Sequence, residues 1–137
     1  MKKILIVEDH ADIRKLLKMT LEFDDFEIHE ASTGDAGLAL CREICPDIVL
    51  LDIMMPGTLN GLEVCRQIKA DHATRFTKVV LLTARVQASD KEAGLAAGAD
   101  DYLMKPFSTL QVLETIYRME AEAVSYTHLT LPTICSV

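Results

Sequence analysis

Apolar residues along the chain follow two alternating patterns. Ile4-Leu5-Ile6-Val7, Ile48-Val49-Leu50-Leu51 and Val79-Val80-Leu81-Leu82 are short unbroken runs, the pattern of strands covered on both faces. With two further β-rich stretches they predict strands over Lys3–Val7, Phe26–Glu30, Asp47–Leu51, Lys78–Leu82 and Asp101–Met104. Phe26–Glu30 alternates instead, which places it nearer a sheet edge. Between and after these strands the spacing turns helical. Ile13, Leu16, Leu17 and Leu21 mark the first helix, Gly61, Val64, Cys65 and Ile68 the third, and Leu110, Leu113, Ile116 and Tyr117 the fifth. All follow the i, i+3, i+4 recurrence of an amphipathic helix. The second helix is Ala-rich, spans Gly34–Ile44 and stops before Pro46; the fourth spans Ser89–Ala97 and ends at Gly98, a C-cap residue. Asn60 with Glu63, Ser89 with Glu92 and Ser108 with Gln111 carry the spacing of helix starts.

Five strand–helix units in sequence imply an α/β fold, a doubly wound parallel sheet with helices on both faces. Ligands of such sheets sit beyond the carboxyl ends of the strands, where the strand order reverses. Glu8 and Asp9 follow the first strand, Asp52 the third, Thr83 and Ala84 the fourth, and Lys105-Pro106 the fifth. Each alone is as readily a solvated loop, a helix cap or a turn. Together they put three carboxylates at one sheet edge, where mutual repulsion and desolvation are costly. A hard cation relieves that cost, and an all-oxygen donor set suits Mg²⁺. Lys105 and the Thr83 hydroxyl complement a tetrahedral anion, and an aspartate can form an aspartyl-phosphate.

Length and composition narrow the class. The 137 residues suggest one domain, with half of them apolar and 26% charged. No apolar run approaches the ~18 residues of a membrane span. The start, Met1-Lys2-Lys3 and four apolar residues before Glu8, is too short for a signal peptide, so the expected location is the cytoplasm. A net charge of −7 argues against direct nucleic-acid binding by this domain. Cys41, Cys45, Cys65 and Cys135 lack the nearby ligands of a zinc site, and buried free thiols are expected.

Several motifs in order then point to a family. Leu5-Ile6-Val7-Glu8-Asp9, Asp47 through Gly57 with Asp52 within, Leu82-Thr83-Ala84 and Gly98 through Phe107 with Lys105-Pro106 resemble the motifs of two-component response-regulator receiver domains, over residues 1–122. The resemblance implies a flavodoxin-like (βα)5 fold with strand order 2-1-3-4-5. It implies phosphorylation of Asp52 by a sensor histidine kinase or histidine phosphotransfer protein. Mg²⁺ would be held by Glu8, Asp9, Asp52 and the backbone carbonyl of Met54, and the phosphate by Lys105, Thr83 and Ala84. Thr83 and Tyr102 would form the switch, moving the face made by the fourth helix, fifth strand and fifth helix to control an output domain, a partner protein or a phosphorylation-dependent homodimer. The Lys105–Pro106 bond would be cis. The domain would phosphorylate and slowly dephosphorylate itself without external turnover.

Two other classes compete. An aspartate-nucleophile phosphatase usually carries a second Asp two residues after the nucleophile, where this chain has Met54. A binding-only pseudo-receiver would lack an acidic or Lys position, yet Glu8, Asp9, Asp52, Thr83 and Lys105 are all present. The loop Pro56–Gly61 is one residue longer than the common family loop, and Met54 and Arg85 stand where the family tunes phosphoryl lifetime. Past Ala123 the character changes: residues 124–137 hold no Asp, Glu, Lys or Arg and carry no helical period. They resemble the translation of a sequencing adapter. The expectation is a receiver domain over 1–123 and a poorly packed, non-native tail over 124–137; a stand-alone receiver and one cut from an output domain read alike in this sequence.

Overall fold

The computed structural model describes residues 2–22, 24–55, 59–84 and 88–129. The elements alternate as β1 (Lys2–Val7), α1 (Ala11–Leu21), β2 (Phe26–Ala31), α2 (Gly34–Ile44), β3 (Ile48–Asp52), α3 (Gly61–Ala70), β4 (Lys78–Thr83), α4 (Ala88–Ala96), β5 (Asp101–Met104) and α5 (Thr109–Leu129). The strands form one parallel sheet in the order β2-β1-β3-β4-β5. This is the expected flavodoxin-like (βα)5 arrangement, and the alternating strand β2 lies at an edge.

Successive strand residues point to opposite faces, so the unbroken apolar runs feed two cores. Leu5, Val7, Val49, Leu51, Val79 and Leu81 pack with Leu38 and Cys41 of α2 and with Val64, Cys65 and Ile68 of α3. Ile4, Ile6, Ile48, Leu50, Val80 and Leu82 pack with Leu17 and Leu21 of α1 and with Val112, Ile116 and Met119 of α5. β1, β3 and β4 are therefore covered on both sides, which holds their carboxyl ends at fixed positions.

Two strands run one residue further than their apolar runs. Asp52 closes β3 and Thr83 closes β4, because Ile53 N–H donates to the Leu82 carbonyl at 3.1 Å and Lys105 N–H to the Thr83 carbonyl at 2.7 Å. Helix ends follow local chemistry. Asn60 accepts from Glu63 N–H at 2.9 Å, and Gly98, at φ +94, follows α4 as its C-cap signal predicts. Thr33 caps α2, accepting from Ala36 N–H at 3.1 Å. At the other end of α2, Cys45 adopts φ +46, ψ 68, the left-handed conformation in which helices commonly end, and its N–H donates to the Cys41 carbonyl at 2.9 Å. Ser89 lies inside α4, which begins at Ala88.

Ser108 and Gln111 make a reciprocal capping box: Gln111 N–H donates to Ser108 Oγ at 3.1 Å, and Ser108 N–H to Gln111 Oε1 at 2.8 Å. Ser108→Ala removes one arm of it. The variant is expected to lose about 1 kcal/mol of stability, read from urea unfolding.

Three expectations change. Leu110 and Tyr117 are exposed on α5, whose buried stripe is Val112, Ile116 and Met119; Leu16 of α1 is exposed as well. Both stripes of α5 obey helical spacing, and only the sheet decides which is buried. The backbone of α5 continues to Leu129, past Ala123, because a helix once formed propagates without an amphipathic repeat. Residues 130–137 lie outside those described. Cys41 and Cys65 are buried and free, whereas Cys45 is disulfide-bonded rather than a free thiol. Among the described residues no helix is long and apolar enough to cross a membrane.

Candidate functional site

The carboxyl ends of β1, β3, β4 and β5 meet at one edge, and each delivers a residue with a defined partner. After β1 the chain bends into α1. Glu8 N–H donates to the Ala31 carbonyl at 3.1 Å. Arg14, in the first turn of α1, donates Nη1 to the carbonyl of Glu8 at 2.8 Å and to that of Asp9 at 3.3 Å. These contacts hold the acidic pair against the sheet, with the Glu8 side chain buried.

Asp52 ends β3 with a buried side chain, and its Oδ1 accepts from Met54 N–H at 3.2 Å. The turn after it is braced from α3, where Gly61 N–H donates to the Ile53 carbonyl at 3.0 Å. Gly61 has no alternative there: a Cβ would stand 2.2 Å from the Asp52 carbonyl oxygen and 2.6 Å from Ile53 Cα. Thr83 is buried at the end of β4, and Ala84 follows it at the surface. β5 ends at Met104, and the Lys105–Pro106 bond is cis, as the resemblance implies. Tyr102 of β5 is half-buried against the core under α2 and α3.

Lys105 joins the cluster from the far side. Its Nζ lies 3.0 Å from Glu8 Oε2, 3.2 Å from Glu8 Oε1 and 3.4 Å from Asp52 Oδ1. One oxygen, nitrogen or carboxylate atom from each of Glu8, Asp9, His10 and Asp52 falls within 4.8 Å of all the others. Within that group Asp52 Oδ2 is buried with no hydrogen-bond partner, and Asp9 Oδ1, also without a hydrogen bond, has the ion-pair contact of His10 Nδ1 at 3.2 Å. Buried carboxylate oxygens without donors are costly, so the donor set fits a divalent cation, as the sequence suggests for Mg²⁺. Burial pushes the Asp52 carboxyl up to about 7 and the Glu8 charge adds to this, while Lys105 and the Met54 N–H oppose it and Asp9 raises it further.

Of the residues named from the sequence, Glu8, Asp9, Asp52, Thr83 and Lys105 lie at this sheet edge, and Met54 is exposed beside Asp52. Pro56, Gly57, Thr58 and Arg85 lie outside the described residues. Three contributors escaped the sequence reading. Arg14 and Gly61 act through backbone atoms that no side-chain pattern reveals. His10 could have been found, because it directly follows the acidic pair. Its Nδ1 lies 2.8 Å from Glu8 Oε1 and 3.2 Å from Asp9 Oδ1, and the ring is raised above the ordinary imidazole value by the Glu8 hydrogen bond first and the Asp9 charge second.

Residues 4–117 match the family described as response regulator receiver domain. The transcriptional regulatory protein ResD of Bacillus subtilis is 43% identical over 133 residues, covering 96% of this chain and 54% of its own length. The chain spans about half the length of the curated relatives it matches. Among solved structures, a response regulator receiver domain protein from Methanospirillum hungatei superposes with a TM-score of 0.85 at 30% identity, covering 92% of this chain and 98% of its own. The chemotaxis protein CheY4 of Vibrio cholerae gives 0.82 at 30% identity, covering 87% and 98%.

Proposed function

This chain belongs to the response-regulator receiver family of two-component systems, and from that premise we propose that it is a phosphoacceptor switch whose acceptor is Asp52. The observation that carries this reading is Asp52 Oδ2: a buried carboxylate oxygen without a donor, at a sheet edge, with Lys105 Nζ 3.4 Å from its sister oxygen. Such an oxygen is available as a nucleophile. It attacks the phosphorus of a phosphohistidine on a sensor kinase or histidine phosphotransfer protein; the P–N bond breaks, an O–P bond forms, and the imidazole leaves. Mg²⁺, held by Glu8, Asp9, Asp52 and the Met54 backbone carbonyl, would offset charge on the phosphoryl oxygens.

The remaining roles belong to the chain itself. Lys105 pairs with the new phosphoryl group instead of with Glu8. The Thr83 hydroxyl and the Ala84 backbone bind its other oxygens. Thr83 can reach the group in one arrangement only, and a contact made in one state shifts the equilibrium toward that state. Tyr102, on the neighbouring strand, follows Thr83. The change reaches the α4-β5-α5 face, where Leu95 of α4 and Met104 of β5 are exposed. That face would hold an output domain, a partner protein or a second phosphorylated copy. Relatives described as transcriptional and DNA-binding regulators, of which the chain spans about half, support a DNA-binding output beyond residue 123. With net charge −7 this domain would not bind DNA itself. With Met54 where a phosphatase carries its second Asp, no external turnover is expected, and the domain would act in the cytoplasm.

Transfer from a phosphorylated kinase or phosphotransfer domain tests the reading. Label should move to this chain, be lost in alkali as an acyl phosphate is, and fall in rate about a hundredfold in Lys105→Met, the scale on which one electrostatic contact to a reacting group is felt. Rapid release of inorganic phosphate without a lasting adduct would favour the phosphatase instead.

A further inference from the structure

The carboxylate cluster includes one nitrogen. His10 is the N-cap residue of α1, yet its side chain makes no cap hydrogen bond. The ring turns instead toward the acidic pair, with Nδ1 2.8 Å from Glu8 Oε1 and 3.2 Å from Asp9 Oδ1. The His10 side chain is 63% exposed, so packing does not force this orientation; the carboxylates draw it in. A ring nitrogen of His10 also falls within 4.8 Å of an oxygen of Asp52, whose Oδ2 is buried and unpartnered.

Ligand type matters more than charge in choosing among divalent ions. Mg²⁺ takes oxygen donors and retains its waters, whereas imidazole suits first-row transition ions such as Co²⁺ and Zn²⁺. A cluster of carboxylates alone discriminates weakly against Mg²⁺. One with an imidazole nitrogen at ligand distance discriminates in favour of the softer ions. Resting on the metal-assisted reading above, we infer that His10 Nδ1 is an additional ligand that gives this phosphoacceptor site a preference for transition divalent ions over Mg²⁺. Oxygen ligation by Glu8, Asp9 and Asp52 serves both kinds of ion, and His10 adds to one kind only.

The test uses the full chain at one fixed pH, titrated with Mg²⁺ and separately with Co²⁺, for the native protein, His10→Gln and Asp9→Asn. His10 is exposed and caps nothing with its side chain, so His10→Gln leaves the fold intact. The expected result is a loss of about tenfold or more in Co²⁺ affinity on His10→Gln, the scale of a lost metal-site partner, with Mg²⁺ affinity unchanged. In native protein the His10 ring protons should show Co²⁺ paramagnetic shifts, and Asp9→Asn should weaken both ions. Equal losses for both ions on His10→Gln, or no loss for either, would overturn the inference, as would Co²⁺ binding that ignores Asp9→Asn. If the native protein bound neither ion, the carboxylate site itself would fail, and the phosphoacceptor reading would fail with it.

Discussion

Asp52→Asn should make the metal-free protein more stable at neutral pH. Asp52 is buried beside Glu8, and its carboxyl is pushed up to about 7 from 3.8. Below about pH 4 the group is protonated in both the folded and the unfolded chain and costs nothing. Between those values the unfolded chain releases the proton and the folded one keeps it, so stability falls as pH rises. Above about 7 the cost is complete. Over this window the native protein should lose on the order of 2–3 kcal/mol relative to Asp52→Asn. The comparison cancels other titrating groups, because the two proteins differ at one side chain, and Asn can keep the Met54 N–H contact. Urea midpoints at pH 4.5 and 7.5 without divalent ions measure the difference, and Mg²⁺ should reduce it by neutralising the cluster. Parallel curves for the two proteins across this range would mean that Asp52 carries no burial cost.

The second large effect concerns a residue with no side chain. Gly61→Val places atoms where the Asp52 carbonyl oxygen, 2.2 Å from a Cβ, and Ile53 Cα, 2.6 Å away, already stand. Both belong to the backbone and cannot rotate aside, so α3 or the end of β3 must move. Overpacking of this kind costs about 3 kcal/mol. The shift would also withdraw Asp52 from Glu8 and Lys105. Thermal unfolding should show the loss, and Mg²⁺ titration should show weakened binding even at temperatures where the variant is folded. A variant within about 0.5 kcal/mol of native, the range of neutral surface changes, would show that the turn after β3 is free to adjust.

Sheet and site were legible for the same reason. Buried parallel strands leave unbroken apolar runs, and a charged residue directly after such a run must stand at a strand end. Glu8, Asp52 and Lys105 needed no contact information, since the topology gathers those ends at one edge. The face of α5 was half legible: of the stripe Leu110, Leu113, Ile116 and Tyr117, Ile116 is buried and Leu113 packs against the core, while Leu110 and Tyr117 are exposed and Val112 and Met119, at equally helical spacing, are buried. Only the sheet decides where the centre of the buried stripe falls. Arg14 was hidden by its use of backbone carbonyls as partners, and Gly61 by contacts that its missing side chain makes room for. The capping box at Ser108 was readable because both of its acceptors are side chains at fixed spacing. The disulfide at Cys45 was not, since spacing along the chain cannot say which thiols meet.

The most direct test of the phosphoacceptor reading is the intact mass of the chain after incubation with Mg²⁺ and a small-molecule acyl phosphate, beside Asp52→Asn. One added phosphoryl group that requires a divalent ion and is absent from the variant is the expected result. An unmodified mass for the native protein, with no phosphate released from the donor and none accepted from a phosphorylated histidine kinase, would contradict it and leave a binding-only receiver.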